Sequence, residues 1–87
     1  MTLKIERAAS PEVTVFTLSG RMEAEHIAEL ERLFKLQTGY RNIVVDLDEI
    51  RLADRDAVMF LARCETNGVK LQNCPAYIRE WMERERR

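Results

Sequence analysis

Residues 42–61 constrain the fold most, because a run typical of a buried strand is followed within a few positions by the start of a helix. Residues 43–47, Ile-Val-Val-Asp-Leu, are largely β-branched and have the length of a strand. Asp54 then precedes a helical pattern, and its side-chain oxygen can accept a backbone N–H that has no partner within the helix. The segment predicts a buried strand, a short acidic loop and a helix that begins at about Asp54.

The first part of the chain predicts a β-hairpin followed by an amphipathic helix. Residues 2–7 and 13–19 alternate polar and apolar side chains, and Ser10-Pro11-Glu12 between them has turn composition. Residues 23–37 follow with apolar side chains at helical spacing, namely Ile27, Leu30, Leu33 and Phe34. Thr38-Gly39 supplies the stop signal, since glycine tolerates the left-handed conformation common at helix ends.

The second half predicts two more helices and one more strand. The second helix covers residues 54–66, with Val58, Leu61 and Ala62 facing inward. Residues 69–72 alternate as a strand near the sheet's edge. Pro75 opens the last helix, which runs to Glu85 with an apolar stripe of Tyr77, Ile78, Trp81 and Met82.

The predicted element order is β-β-α-β-α-β-α, which belongs to the α/β fold class. It implies a mixed sheet of about four strands, with an antiparallel hairpin at one side, parallel strands joined by helical crossovers, and helices packed against the sheet. At 87 residues, the whole chain 1–87 is expected to form a single domain.

Composition argues against several function classes. The net charge of −1, with acidic and basic residues interspersed, lacks the excess of Lys and Arg that binding to nucleic acid needs. No apolar run approaches a membrane span or a signal peptide, so we expect a cytoplasmic protein. Cys64 and Cys74 are expected to be small buried side chains, and His26, the only histidine, to lie on a solvated helix face. We therefore expect no enzymatic activity, no cofactor and no metal.

The start of the second helix is the position best suited to chemistry. Its first turn, Arg55, Asp56 and Ala57, concentrates unpaired N–H donors and the positive end of the helix dipole. A protein holds a negative group at such a place, or is modified there by one. Asp56 already supplies a negative charge.

The element order and three short motifs together resemble the STAS domain family, the anti-sigma-factor antagonists and their relatives. The motifs are Leu18-Ser19-Gly20-Arg21, Val45-Asp46-Leu47 and Ala53-Asp54. The resemblance implies a domain that opposes an anti-sigma factor by binding it. It also implies a switch, because a kinase partner phosphorylates a serine at the start of the second helix in such domains.

The sequence departs from the family at that serine. The family pattern, Asp-Ser-Ser-Gly-Leu or Asp-Ser-x-Gly, falls on residues 54–58, where Arg55 and Asp56 replace both candidate hydroxyls. The phosphorylation site is therefore degenerate. Asp56 can be read in two ways: as a favourable charge at a helix N-terminus, or as a permanent partial mimic of phosphoserine. Ala57, in place of glycine, adds a methyl group where the family approaches its partner.

A partner approaching this helix end should meet one set of side chains first. Of Met59 and Phe60, at least one should be exposed, although Phe60 could instead pack against a neighbouring helix. The predicted partner-binding residues are Arg51, Asp54, Arg55, Asp56, Met59, Phe60 and Arg63. The expected partner is an anti-sigma factor or a related kinase-like regulatory protein.

Three alternatives remain open on the sequence alone. The same helix end could bind a small anion or a nucleotide, although Asp56 would repel a phosphate. The chain could be a structural subunit that forms a homodimer through the hairpin edge or the terminal helix. The acidic residues Asp46, Asp48, Glu49, Asp54 and Asp56 could hold Mg²⁺, or simply form a solvated rim.

Overall fold

The computed structural model describes residues 3–36 and 42–85, and it confirms the predicted α/β class and element order. A single 3₁₀ turn, Ala24–His26, precedes the first α-helix. The elements are β1 (Leu3–Ala9), β2 (Thr14–Met22), α1 (Ile27–Lys35), β3 (Ile43–Ala53), α2 (Arg55–Thr66), β4 (Lys70–Gln72) and α3 (Ala76–Glu85).

The four strands form one mixed sheet in the order β1-β2-β3-β4. β1 and β2 are antiparallel, whereas β2 with β3 and β3 with β4 are parallel, as the sequence predicts. The hairpin turn is closed by Ser10, whose N–H donates to the Val13 carbonyl at 2.8 Å and whose Oγ accepts the Val13 N–H at 3.1 Å. β4 is a short strand at the edge, also as predicted.

The prediction of an acidic loop after residue 47 is wrong, because β3 continues to Ala53. β2 also runs past Gly20 to Met22, so Ser19 pairs with Glu49 and Met22 with Ala53. The register shifts twice in this stretch, and each shift accommodates one extra residue of β3. Gly20 has a φ of 96° here, which glycine adopts without steric cost. The bulges break the alternation of polar and apolar residues that would have marked the strand.

One face of the sheet and the inner sides of the helices form the core. Phe16 and Leu18 of β2 and Val45 of β3 are fully buried, while the residues between them are partly exposed. The helices contribute Leu30, Phe34, Val58, Leu61, Ile78 and Met82. The other predicted inward residues, Ile27, Leu33, Ala62 and Trp81, are half-buried, and Tyr77 is exposed, contrary to the predicted stripe.

One of the predicted helix boundaries differs from the structure. The first helix was predicted from residue 23, but the regular α-helix begins at Ile27 after the 3₁₀ turn. Its predicted end at Gln37 and the stop signal Thr38-Gly39 lie outside the described residues. The start of α2 is confirmed, and α3 begins immediately after Pro75, whose carbonyl accepts the Ile78 and Arg79 N–H groups.

Among the helices of residues 3–36 and 42–85, none is long and apolar enough to cross a membrane.

Phe34 joins the sheet to both flanking helices, and its truncation should be costly. Its ring lies 5.0 Å from that of Phe16 and 6.0 Å from that of Phe60, centroid to centroid. We expect Phe34→Ala to lower the free energy of unfolding by about 3–5 kcal/mol in urea titrations. Leu36→Ala is the control at the same end of α1, because Leu36 is 73% exposed, and it should cost no more than about 0.5 kcal/mol. Equal losses for both variants would contradict this account of the core.

Candidate functional site

The carboxyl ends of β2 and β3 meet, and this brings two helix starts together. Met22 pairs with Ala53 at the end of the parallel ladder. The N–H of Asp54 extends the ladder by donating to the Met22 carbonyl at 3.2 Å. α2 begins directly after Asp54, and the 3₁₀ turn that leads into α1 begins two residues after Met22. The two helical segments therefore start side by side at the same edge of the sheet.

Asp54 connects both starts through the two oxygens of one carboxylate. Oδ1 accepts the Ala57 N–H at 2.9 Å, which confirms the predicted N-cap of α2. Oδ2 accepts the Ala24 N–H at 3.1 Å, a contact across thirty positions of sequence that the sequence does not indicate. The side chain is half-buried and holds two donors that would otherwise lack partners. Asp54 therefore has a structural role, because it holds the two helix starts in place, more than a role in surface contacts.

His26 is not on a solvated helix face, contrary to the expectation from sequence. Its side chain is only 13% exposed, and Nδ1 accepts the Glu23 N–H at 3.0 Å. The Glu23 side chain in turn accepts the His26 backbone N–H, which completes a capping box around the 3₁₀ turn. His26 is therefore a structural acceptor beneath the site.

Arg55 lies at the start of α2 but is held by the end of α3. Its Nη2 donates to Glu85 Oε1 at 3.2 Å and its Nε donates to Oε2 at 3.3 Å. Trp81 Nε1 also donates to Glu85 Oε2, at 3.3 Å. The hydrogen bonds between the two side chains hold the pKa of Glu85 below its ordinary value and raise the pKa of Arg55 above its own. The sequence gives no signal that these helix ends meet, so Glu85 and Trp81 are site residues that it misses.

A second ion pair fixes the other end of the same helix pair. Arg79, in the first half of α3, donates to both oxygens of Glu65 near the end of α2, at 2.8 and 3.0 Å. The start of α2 thus lies beside the end of α3, and the end of α2 beside the start of α3. The two helices run antiparallel and are pinned at both ends.

Asp56, Met59 and Arg63 lie together on the outer side of α2, and we refer to these three residues as the α2 face. Asp56 and Arg63 are exposed and Met59 is half-buried. A groove of about 400 Å³ lies between α2 and the segment formed by the 3₁₀ turn and α1. It is lined by all three residues of the α2 face, with Ala24, Ile27, Ala28 and Glu31. A second groove of about 290 Å³ between α2 and α3 is lined by Met59, Ala62, Arg63, Thr66, Asn67, Met82 and Glu85. Met59 and Arg63 border both grooves.

Phe60 does not belong to the exposed surface, so its inclusion among the predicted contact residues is corrected. It is only 3% exposed, because α1 covers this side of α2 and the Phe60 ring stacks on Phe34. The guanidinium of Arg63 lies 5.9 Å from the Phe60 ring centroid, which favours a cation–π contact. Phe60 supports Arg63 from beneath and leaves Met59 as the apolar side chain of the α2 face.

Arg51 is exposed but lies apart from the α2 face. It belongs to the extended end of β3 and lines a different cavity, with Lys4, Ser19 and Glu49 among its neighbours. Of the predicted partner-binding residues, the structure brings Asp56, Met59 and Arg63 together, with Asp54 and Arg55 engaged beside them.

The acidic residues do not converge on an ion-binding cage. Asp46 Oδ1 accepts the Asp48 N–H at 3.0 Å and the Asn73 side-chain amide at 3.2 Å, so it anchors the turn after β4. Within the described ranges, no group of three or more potential metal ligands is brought together. Burial raises the pKa of Cys64 to about 12 and also raises that of Cys74, so both thiols are protonated at neutral pH.

Over the described residues, the mixed four-stranded sheet with its three helices is similar in fold to STAS domains of known structure. One similar structure is an antisigma-factor antagonist, STAS domain from Rhodobacter sphaeroides, with a TM-score of 0.62 and 12% identity over 83% of this chain and 87% of that one. Another is an uncharacterized DUF3478-family protein with a SpoIIAA-like fold from Shewanella loihica PV-4, with a TM-score of 0.51 and 14% identity over 98% and 76%.

The structural matches confirm a STAS-like fold, and at these identities they show the fold alone. No family model matches the sequence, and no curated protein matches it.

Because Asp54 caps both helix starts, its substitution should lower stability more than the same substitution at Asp56. We expect Asp54→Ala to lower the free energy of unfolding by about 1–3 kcal/mol, because both bridged N–H groups lose their acceptor. Asp56→Ala is the matched control, since it removes the same charge from the same turn without removing a cap, and should cost about 0.3–1 kcal/mol. Denaturant unfolding of both variants provides the measurement. A loss for Asp54→Ala no larger than that of the control would show that the bridge contributes little.

The ion pair between Arg55 and Glu85 predicts a pH-dependent difference in stability. Because the pKa of Glu85 is lowered in the folded state, the pair stabilises the protein above the ordinary carboxyl value of 4.5, and this stabilisation is lost as the pH falls through the lowered pKa. The stability difference between the natural chain and Arg55→Ala should therefore be largest near neutral pH and shrink below pH 4.5.

Thermal unfolding over a pH series measures that difference. Arg51→Ala is the control, because it removes an exposed arginine that has no contact with Glu85 among the described hydrogen bonds. A difference for Arg55→Ala that stays constant from neutral pH to well below 4.5 would rule out the ion pair as its source.

Proposed function

We propose that this chain is a non-enzymatic protein-interaction module of bacterial partner-switching regulation, in which the switch serine is replaced by a permanent charge at Asp56. Its partner is an anti-sigma factor or a related kinase-like regulatory protein, and the complex forms in the cytoplasm. The STAS-like fold supports this proposal through the resemblance to anti-sigma-factor antagonists. The two protonated thiols and the open, shallow grooves also favour binding over catalysis.

The proposal rests on a difference between the three charged residues at the start of α2: two are bound within the protein and one is exposed. Asp54 is committed to two backbone N–H groups, and Arg55 is committed to Glu85. Asp56 is exposed and lines the groove beside Met59 and Arg63. Of the charged side chains at the start of α2, Asp56 is thus the one offered to a partner, at the position where the family carries a hydroxyl that becomes negative on phosphorylation.

The α2 face combines the chemistry that protein interfaces use. Met59 offers an adaptable apolar side chain between two grooves, and Arg63 offers a guanidinium oriented by the Phe60 ring. Asp56 adds one negative charge, against about −1.5 to −2 for phosphoserine. A partner that recognises this face needs a cationic group opposite Asp56, an apolar side chain against Met59 and an acceptor for Arg63.

A purely local role for Asp56 makes a different prediction. A carboxylate in the first turn of a helix stabilises that helix by about 0.3–1 kcal/mol through the dipole, whatever the protein binds. Under that interpretation, removing the charge changes stability slightly and partner recovery not at all. The anion-sensor alternative finds no support at this site, because a fixed carboxylate at the groove disfavours a phosphate.

A quantitative pull-down distinguishes these interpretations. The tagged natural chain, Asp56→Ser and Asp56→Ala are used as baits in lysate of the source cells, and the recovered proteins are compared by mass spectrometry. We expect both variants to lose the regulatory partner of the natural chain by about tenfold, as the loss of one interfacial charge contact warrants.

Glu12→Ala is the matched control for this experiment. It removes the same charge from an exposed position in the hairpin turn, at the opposite end of the sheet from Asp56 and the start of α2. It should recover the same partners as the natural chain. Equal recovery by the natural chain and both Asp56 variants would end the fixed-charge proposal.

A further inference from the structure

The outer edge of β1 is a self-complementary surface. β1 lies at one edge of the sheet and, among the described residues, pairs with β2 alone, so the backbone groups along its other side have no strand partner. Seven residues of regular strand form this edge. An edge of this kind is a template for pairing with another strand unless it is covered or carries charges that repel an approaching chain.

The side chains of β1 divide cleanly between the two faces of the sheet. Ile5 lies opposite the buried Leu18 and packs against the core, so it belongs to the inner face. Lys4 and Glu6 belong to the outer face, where their side chains are 70% and 60% exposed. Lys4 Nζ lies 3.7 Å from Glu6 Oε2. The outer face of the edge therefore carries one positive and one negative charge, placed symmetrically on either side of Ile5.

We propose that β1 pairs antiparallel with β1 of a second copy of this chain, about a two-fold axis at Ile5, to form a continuous eight-stranded sheet. A two-fold axis perpendicular to the sheet keeps every residue on its own face and reverses the strand direction. In this register Lys4 lies opposite Glu6 of the second copy, and Glu6 lies opposite its Lys4. Ile5 lies opposite its own counterpart on the inner face, which extends the core across the interface.

Charge selects this register over its neighbours. Centring the pair on Lys4, Glu6 or Arg7 places two like charges directly opposite each other, which destabilises a strand pair. Centring it on Ile5 places opposite charges in both facing positions. The charges on this edge therefore favour one alignment with a second copy, whereas an edge that carried a single sign of charge would repel it.

The geometry leaves the α2 face available in both copies. The strands of the two copies run in opposite directions, so the carboxyl ends of β2 and β3, and the helix starts beside them, lie at opposite ends of the joined sheet. A single pair of edge strands buries less area than a standard stable interface, so the dimer exists in a concentration-dependent equilibrium with the monomer.

Sedimentation velocity of the full chain over about a hundredfold range of concentration tests the proposal. The natural chain should shift from monomer to dimer as its concentration rises. Lys4→Glu and Glu6→Lys each place like charges opposite each other at both facing positions, and each should raise the dimer dissociation constant about tenfold.

Two further samples make the test specific for the register. The double variant Lys4→Glu with Glu6→Lys restores opposite charges and should dimerise like the natural chain. An equimolar mixture of the two single variants should form a heterodimer, because one then carries two negative and the other two positive charges on the edge. Lys70→Glu, an equivalent change on the exposed edge strand at the other side of the sheet, should have no effect.

Three results would overturn the proposal: a natural chain that stays monomeric at every concentration, a dimer indifferent to all of these changes, or a double variant that fails to recover. Circular dichroism of each variant verifies folding, and all three positions are exposed. None of these changes touches the α2 face, so failure here leaves the proposed function untouched, and failure of the pull-down leaves the dimer untouched.

Discussion

The carboxylate of Asp54 is the contact on which the arrangement of this domain depends. One oxygen caps α2, and the other binds the N–H at the start of the segment that leads into α1. Both helical starts are thereby fixed to the last pair of the parallel ladder, Met22 with Ala53. A neutral amide could supply one acceptor oxygen, but a carboxylate supplies two, and its charge complements both positive helix ends. The groove beside the α2 face exists because these two starts are held side by side.

The charged side chains near Asp54 form pairs with residues that the fold brings close and not with their neighbours in sequence. Arg55 is adjacent to Asp56 in sequence, and on sequence alone its positive charge offsets that of Asp56. In the structure the Arg55 guanidinium instead donates hydrogen bonds to both carboxylate oxygens of Glu85. The negative charge at Asp56 is therefore available to the groove, and the basic group that accompanies it there is Arg63, one helical turn beyond Met59.

Local patterns predict the elements of this fold but not the contacts that complete the site. The β-branched run at residues 43–47 and the capping side chain at Asp54 are signals within a few residues, and both are confirmed. The contacts of Asp54 with Ala24 and of Arg55 with Glu85 each join groups thirty positions apart, and no periodicity encodes them. Phe60 was misplaced for a related reason. The spacing of apolar residues indicates one buried stripe, whereas α2 is covered on two sides and buries a wider arc.

The extension of β3 to Ala53 shows how irregular pairing hides a strand. Asp48 and Glu49 are exposed and stand where the register shifts, so the sequence loses its period of two and reads as an acidic loop. The stretch nevertheless carries the ladder to the point where Asp54 can reach Met22. The length of this strand sets the position of α2, and with it the position of Asp56 at the edge of the groove.

A fixed charge changes how a module of this kind can be regulated. A phosphorylated serine creates two states of one surface, and a partner that distinguishes them can be bound or released by modification. Asp56 has one state, so modification at this position supplies no difference in affinity, and without such a difference no equilibrium shifts. Under the proposed function, control must then reside in the partner or in the amount of this chain. The exposed edge of β1 offers control through the amount of this chain. Pairing of two copies at this edge depends on concentration and joins two α2 faces in one assembly.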